Sequence, residues 1–180
     1  HPPTRECLNW IAAEGDLLRL YATYCALDEH IHSANPAIWI WPDWPKELRD
    51  PASRAVADFA SAHKRDILFH SWLQWLIDRQ MAAVQRFALD SGMPIGLYHD
   101  LALATDRCGS DLWAHRDFFV PGCRVGSPPD DFSPKGQDWS FPPPAADRHR
   151  EDNYRLFTAS IRNTLRHGGA LRLDHVMRLF

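Results

Sequence analysis

The sequence predicts an α/β chain that is mostly helical, with one βαβ unit in its second half. Three observations carry this prediction. Residues 52–91 contain neither proline nor glycine, and Leu68, Trp72, Trp75, Leu76, Ala83 and Phe87 recur in them with helical period. Two short apolar runs, Ile95-Gly96-Leu97-Tyr98-His99-Asp100-Leu101 and Ala170-Leu171-Arg172-Leu173, read as strands that deliver Asp100 and Asp174 near their exits. Between them, residues 147–167 place Tyr154, Phe157, Ile161 and Leu165 on one helical face and stop at Gly168-Gly169. A strand, a crossover containing a helix and a second strand make two parallel strands with a right-handed crossover.

Residues 1–92 read as helices. Asp16 is placed to cap a segment in which Leu17, Leu20, Tyr21, Tyr24 and Leu27 share a face. The stretch Asn35-Pro36-Ala37-Ile38-Trp39-Ile40-Trp41-Pro42-Asp43-Trp44-Pro45 breaks that pattern, because each proline disfavours helix in the residue before it. It reads as a Trp-rich connector. One long helix or two consecutive ones then run to Ser91, closed by Gly92 at the position just past the end, with Pro94 beyond. Residues 102–146 carry many glycines and prolines, including Pro142-Pro143-Pro144, and read as one long loop, which in a compact domain is usually functional.

At 180 residues the chain suffices for one ordinary domain with a hydrophobic core. A net charge of -3 gives no electrostatic reason to expect nucleic acid or an anionic membrane as partner. No apolar run approaches the ~20 residues of a membrane helix. Cys7, Cys25, Cys108 and Cys123 form no Cys-x-x-Cys pair and read as free thiols of a cytoplasmic protein. Among ten histidines, His30-x-His32 has no nearby third ligand, so neither a metal nor a cofactor is expected. Most of the eight tryptophans are expected in the core, with a few left to line a groove.

Direction alone joins the two strand ends. Parallel strands share an exit edge, so Asp100, Asp174 and the start of the long loop meet at one rim, and in a parallel barrel that rim is where active sites are built. The competing reading is that Asp174 caps a helix that follows it. Two carboxylates with Arg172 beside aromatic residues suit a polar, uncharged ligand rich in hydroxyl groups, of which a sugar is the plainest case. Such carboxylates also serve glycoside chemistry as nucleophile and acid/base.

Residues 93–180 resemble the 4-alpha-glucanotransferases, the amylomaltase or disproportionating-enzyme family, glycoside hydrolase family 77. The resemblance lies in Ile95-Gly96-Leu97-Tyr98-His99-Asp100-Leu101-Ala102, in Val125-Gly126-Ser127-Pro128-Pro129-Asp130 followed by Ser133-Pro134-Lys135-Gly136-Gln137-Asp138-Trp139, and in Gly169-Ala170-Leu171-Arg172-Leu173-Asp174-His175-Val176-Met177. Tyr24-Cys25-Ala26-Leu27 and the Trp39 to Pro45 connector are similar more loosely to the family's helical insertion. The resemblance implies an incomplete (β/α)8 TIM-barrel piece of about two parallel strands over 93–180, with a large helical insertion over 1–92.

For the site, the resemblance implies that Asp174 is the nucleophile that attacks the anomeric carbon of an alpha-1,4-glucan and that Arg172 orients its carboxylate. It implies that His175 touches the sugar beside the nucleophile, and that Asp100 contacts substrate without donating the proton. Residues 128–139 match a mobile acceptor-side loop in which Asp130, Phe132, Ser133, Gln137 and Trp139 take substrate-binding positions. Asp131 stands where many members carry Tyr, and Leu101-Ala102-Leu103-Ala104 replaces their Leu-Pro-Ile-Tyr. Both ends of the chain read as cut. The resemblance implies that the family's acid/base glutamate and its third carboxylate lie on later strands, beyond Phe180; Glu6, Glu14, Glu29, Glu47 and Glu151 all fall in predicted helices or connectors, none at a strand exit. The 180-residue chain is therefore expected to be inactive and, with its strand edges unpaired, to form homo-oligomers. The alternatives are an alpha-glucan hydrolase, a branching enzyme, or a non-catalytic glucan-binding module.

Overall fold

The computed structural model of the protein describes residues 3–102 and 105–176. Leu103 and Ala104 of the run that follows Asp100, and Met177 to Phe180 at the end of the last motif, lie outside the described residues. The chain divides into two compact units, one of residues 1–81 and 108–114, the other of 82–107 and 115–180.

The first unit begins with α1, Arg5–Ala34, whose first turn is capped by the Thr4 hydroxyl accepting from the Cys7 N–H. The helix is kinked at Gly15 (φ 64°), so the break falls one residue before Asp16. Asp16 itself accepts from the Arg19 guanidinium at 2.9 Å. Leu27 and Ile31 are buried, with Leu20 and Tyr24 packed beside them. Leu17 and Tyr21, expected on the same face, lie at its margin and stay more than a third exposed. After two 3-10 turns, Trp41–Asp43 and Lys46–Leu48, come α2, Arg54–Ala62, and α3, Lys64–Asp90, separated by His63. Contacts of Glu6 with Arg79, Tyr21 with Gln74, and Glu29 with His70 set the first part of α3 antiparallel to α1.

The core of this unit joins Leu27, Ile31, Trp44, Val56 and Trp113. Trp113 comes from α4, Ser110–His115, inside the stretch expected to be a long loop. A six-residue helix is too short to show a period, which is why spacing did not reveal it. Trp44 and Trp113 are fully buried, Trp39 is 72% exposed, and Trp10, Trp41, Trp72, Trp75 and Trp139 are half-buried. The tryptophans are thus less uniformly core than their count suggested. The four cysteines are free. Among the described residues, no helix is long and apolar enough to cross a membrane.

In the second unit, α3 ends as its sequence predicts. Gly92 takes φ 87°, which a side chain would resist, while its N–H donates to Leu89 and the Met93 N–H to Ala88. Strand β1, Tyr98–Leu101, follows. A short hairpin pairs β2, Gly126–Ser127, with β3, Gln137–Asp138. The helix expected over 147–167 is two, α5, Ala146–Glu151, and α6, Arg155–Leu165. Asn153 and Tyr154 both adopt left-handed backbone at the break, and Asp152 accepts from the Leu156 N–H at 3.1 Å to start the second helix. Strand β4, Ala170–Leu173, lies parallel to β1 in the register Tyr98 to Ala170, His99 to Leu171, Asp100 to Arg172 and Leu101 to Leu173.

Candidate functional site

The register puts Asp100 directly across from Arg172. Asp174, two residues after Arg172, stands in the turn just past the end of β4. One guanidinium then reaches both acids: Arg172 Nη1 is 2.5 Å from Asp100 Oδ2, and Nη2 is 2.5 Å from Asp174 Oδ1. Charge-assisted bonds of this length fix the two carboxylates relative to each other. The hydrogen bond to Asp100, followed by the charges of Asp100 and Asp174, raises the already high pKa of Arg172, so the group stays cationic. The Asp174 side chain is 29% exposed, against 53% for Asp100, which leaves it accessible but more enclosed.

His175 follows in left-handed backbone (φ 45°), a conformation uncommon for residues other than glycine and often found at functional sites. Its Nε2 lies 3.4 Å from Asp174 Oδ2. The Asp174 oxygens thus face Arg172 and His175. Against the His175 ring leans Trp139, centroids 4.6 Å apart at 54°.

Trp139 is delivered by the hairpin. Its backbone N–H donates to the Val125 carbonyl at 3.0 Å, and Arg124 pairs with Asp138 at 3.1 Å. Gly136, with φ 70°, turns the chain where a Cβ would press on the Ser127 carbonyl, so the hairpin depends on glycine there. Farther out, the Gln137 Oε1 accepts from Trp139 Nε1 at 2.9 Å, and the Gln137 amide donates to Ser133 Oγ at 3.3 Å. Asp130 Oδ1 accepts from the Phe132 and Ser133 backbone N–H groups at 2.9 and 2.6 Å. Phe132, held by that turn, is 98% exposed. The residues singled out by sequence therefore form one continuous array, from Asp100 through Arg172, Asp174, His175, Trp139, Gln137 and Ser133 to Asp130 and Phe132.

Some supporting residues carried no sequence signal. Gln85 on α3 donates to the Ile95 carbonyl at 3.1 Å and accepts from the Leu97 N–H at 2.6 Å, which steers the chain into β1. His99 Nε2 lies 3.0 Å from the His167 carbonyl oxygen and ties the end of the crossover to β1. The Arg124 to Asp138 pair spans the hairpin, where no fixed spacing rule applies. No group of three His, Cys, Asp or Glu suited to a metal ion occurs among the described residues.

Two parallel strands joined by a helical crossover, with linked carboxylates at their shared exit, make a parallel α/β unit of the kind that builds a (β/α)8 barrel. The family model for 4-alpha-glucanotransferase, glycoside hydrolase family 77, matches residues 2–180, and the chain belongs to that family. A 4-alpha-glucanotransferase of Mycobacterium tuberculosis is 45% identical over 167 residues, covering 93% of this chain and 22% of the relative. One from Haemophilus influenzae is 32% identical, covering 96% and 25%. The amylomaltase structure from Corynebacterium glutamicum superposes with a TM-score of 0.76 at 32% identity over 99% of this chain and 23% of that one. The amylomaltase of Streptococcus agalactiae in complex with acarbose shares the fold, with a TM-score of 0.80 at 21% identity over 95% of this chain and 34% of that one. The chain thus spans about a quarter of the length of these curated relatives.

Proposed function

We propose that this chain carries the nucleophile half of an alpha-1,4-glucan transfer site. The observation behind the reading is the Arg172 guanidinium that joins Asp100 and Asp174 at the exits of two parallel strands. In the reaction, Asp174 attacks the anomeric carbon of an alpha-1,4-linked glucan. The bond to the leaving O4 breaks as that oxygen takes a proton from a general acid, and a covalent glucosyl ester forms on Asp174. The 4-hydroxyl of a second maltooligosaccharide then gives its proton to that same group, now acting as base, and displaces the carboxylate, with overall retention. Arg172 aims the Asp174 carboxylate through its hydrogen bond, Asp100, His175 and Trp139 contact sugar, and Asp130, Phe132, Ser133 and Gln137 shape the acceptor side. A loop that excludes water favours transfer over hydrolysis.

In this reading residues 1–92 form the helical insertion and 93–180 part of the barrel, in a cytoplasmic protein. Glu6, Glu14, Glu29 and Glu151 lie on helices and Glu47 in a 3-10 turn, none of them at a strand exit. The 180-residue chain is therefore expected to bind maltooligosaccharides without turning them over. Maltotriose disproportionation by the purified chain at a rate near that of a full-length relative would refute this.

In the full-length protein, Asp174→Asn is expected to lower transfer from maltotriose roughly 10³-fold or more, as losses of a nucleophile do. Glucose with longer maltooligosaccharides as products marks a transferase, and hydrolytic products alone would replace this reading with a hydrolase. Sugar binding that survives in Asp174→Asn, without any turnover by the full-length protein, marks a binding module. Self-association belongs to the same reading. Strands β1 and β4 are the whole parallel sheet among the described residues, and Ile95, Tyr98 and Leu173 beside or within them are exposed, whereas parallel sheets are normally covered on both faces. Light scattering that finds a clean monomer at high concentration counts against it.

A further inference from the structure

We propose that Ser133 is a positioning residue that couples the exposed loop tip at Phe132 to the nucleophile Asp174, acting through Gln137, Trp139 and His175. This role rests on the glucan-site reading above. Its basis is the direction of each hydrogen bond in the array.

The Trp139 indole N–H can only donate, so the atom it meets on Gln137 at 2.9 Å is the amide oxygen. That fixes the amide orientation and turns the Gln137 NH2 toward Ser133, whose hydroxyl oxygen accepts it at 3.3 Å. Ser133 is in turn fixed to the tip. Its backbone N–H donates to Asp130 Oδ1 at 2.6 Å, and its carbonyl accepts from the Asp130 and Gly136 N–H groups at 3.1 and 2.8 Å. Phe132 shares the same carboxylate through its own N–H at 2.9 Å. A solvent-exposed phenyl ring is thus mounted on a turn that is linked toward the strand exits through the Ser133 hydroxyl oxygen.

At the inner end, the Trp139 ring rests against His175, and His175 Nε2 is 3.4 Å from Asp174. A sugar that displaces Phe132 therefore pulls on the Trp139 ring and on the histidine beside the nucleophile. Without the Ser133 oxygen, the Gln137 amide loses one of its two anchors and the indole loses a fixed acceptor.

The test uses the 180-residue chain labelled with nitrogen-15, its Trp139 indole resonance assigned with Trp139→Phe, and maltoheptaose as the probe. Ser133→Ala is expected to shift the Trp139 indole resonance in the sugar-free protein and to weaken maltoheptaose binding about fivefold, the loss of one neutral hydrogen bond. In the Trp139→Phe background, which lacks the indole N–H, Ser133→Ala is expected to cause little further loss, because the link is already cut. An unmoved indole resonance in Ser133→Ala overturns the proposal, and so does full additivity of the two substitutions. If the unsubstituted chain binds no maltoheptaose, the glucan reading fails, and the indole resonance alone decides whether the brace exists.

Discussion

Arg172 is the residue on which the site's geometry turns. Its planar fork presents two nitrogens in fixed directions, and one meets Asp100 of β1 and the other Asp174, just past β4, each at 2.5 Å. A lysine ammonium is a single point charge and cannot hold both acids in that arrangement. Arg172→Lys is therefore expected to weaken maltooligosaccharide binding by about tenfold or more, measured by calorimetry, since the net charge is kept and only the fork is lost. The thermal midpoint of the same variant should hardly move, because all three side chains are partly exposed and solvent-exposed ion pairs contribute little to stability. Unchanged affinity with a lowered midpoint would reverse the assignment and make the triad structural.

His149 in α5 and Asp152 in the turn after it make the crossover respond to pH. His149 is buried against the Phe118 ring, centroids 5.1 Å apart, and burial pushes its imidazole below the ordinary range. The unfolded chain takes up that proton near pH 6.5, before the folded chain does, so stability falls as pH drops below about 6.5. Asp152 moves the other way. Its hydrogen bond from Arg155, then that from the Leu156 N–H, hold the carboxyl below its usual range, so its contribution is full above about pH 3.9 and is lost as pH falls through the folded value. A thermal midpoint followed from pH 8 to 3 should show both losses. His149→Gln should flatten the upper one, and Asp152→Asn should remove the lower one and depress the midpoint at neutral pH; a pH profile identical in both variants would sink this account. The break itself was illegible in the sequence, because Asp147 to His167 keeps an apolar face at helical spacing and only the left-handed backbone at Asn153 and Tyr154 interrupts it. The parallel strand pair was legible, since its two apolar runs, bounding glycines and intervening helix all carry local signals. That Asp100 and Asp174 share one rim followed from strand direction, whereas the pairing of Asp100 with Arg172 depends on register. The hairpin that carries Trp139 was not legible, because two-residue strands have too few positions to show alternation, and the Arg124 to Asp138 pair that pins it depends on register.

For the whole molecule, the chain's path makes one residue of the 102–146 stretch decisive for the stability of the first unit. Trp113 is fully buried among Leu27, Ile31, Trp44 and Val56. Its indole N–H donates to the Leu48 carbonyl at 3.0 Å, and its ring lies 5.9 Å from Tyr24 and 6.3 Å from Trp44. Tyr24 reaches the same returning segment, its hydroxyl donating to the Cys108 carbonyl at 2.9 Å. A unit of residues 1–81 thus closes its core with a helix supplied from beyond β1. Truncating a buried tryptophan to alanine costs about 3–5 kcal/mol, a large share of the roughly 5–15 kcal/mol available to an ordinary domain. Trp113→Ala should accordingly lower the urea midpoint steeply, whereas Trp39→Ala, at a site 72% exposed, should leave it nearly unchanged. Trp113→Phe, which keeps most of the ring and loses the bond to Leu48, should fall between them, at about 1–2 kcal/mol. Because Trp44 and Trp113 share one cluster, the two alanine substitutions combined should cost less than their sum. If Trp113→Ala unfolds at the urea concentration of the unsubstituted chain, helix α4 is not part of that core, and the stretch returns to being the loop its composition suggests.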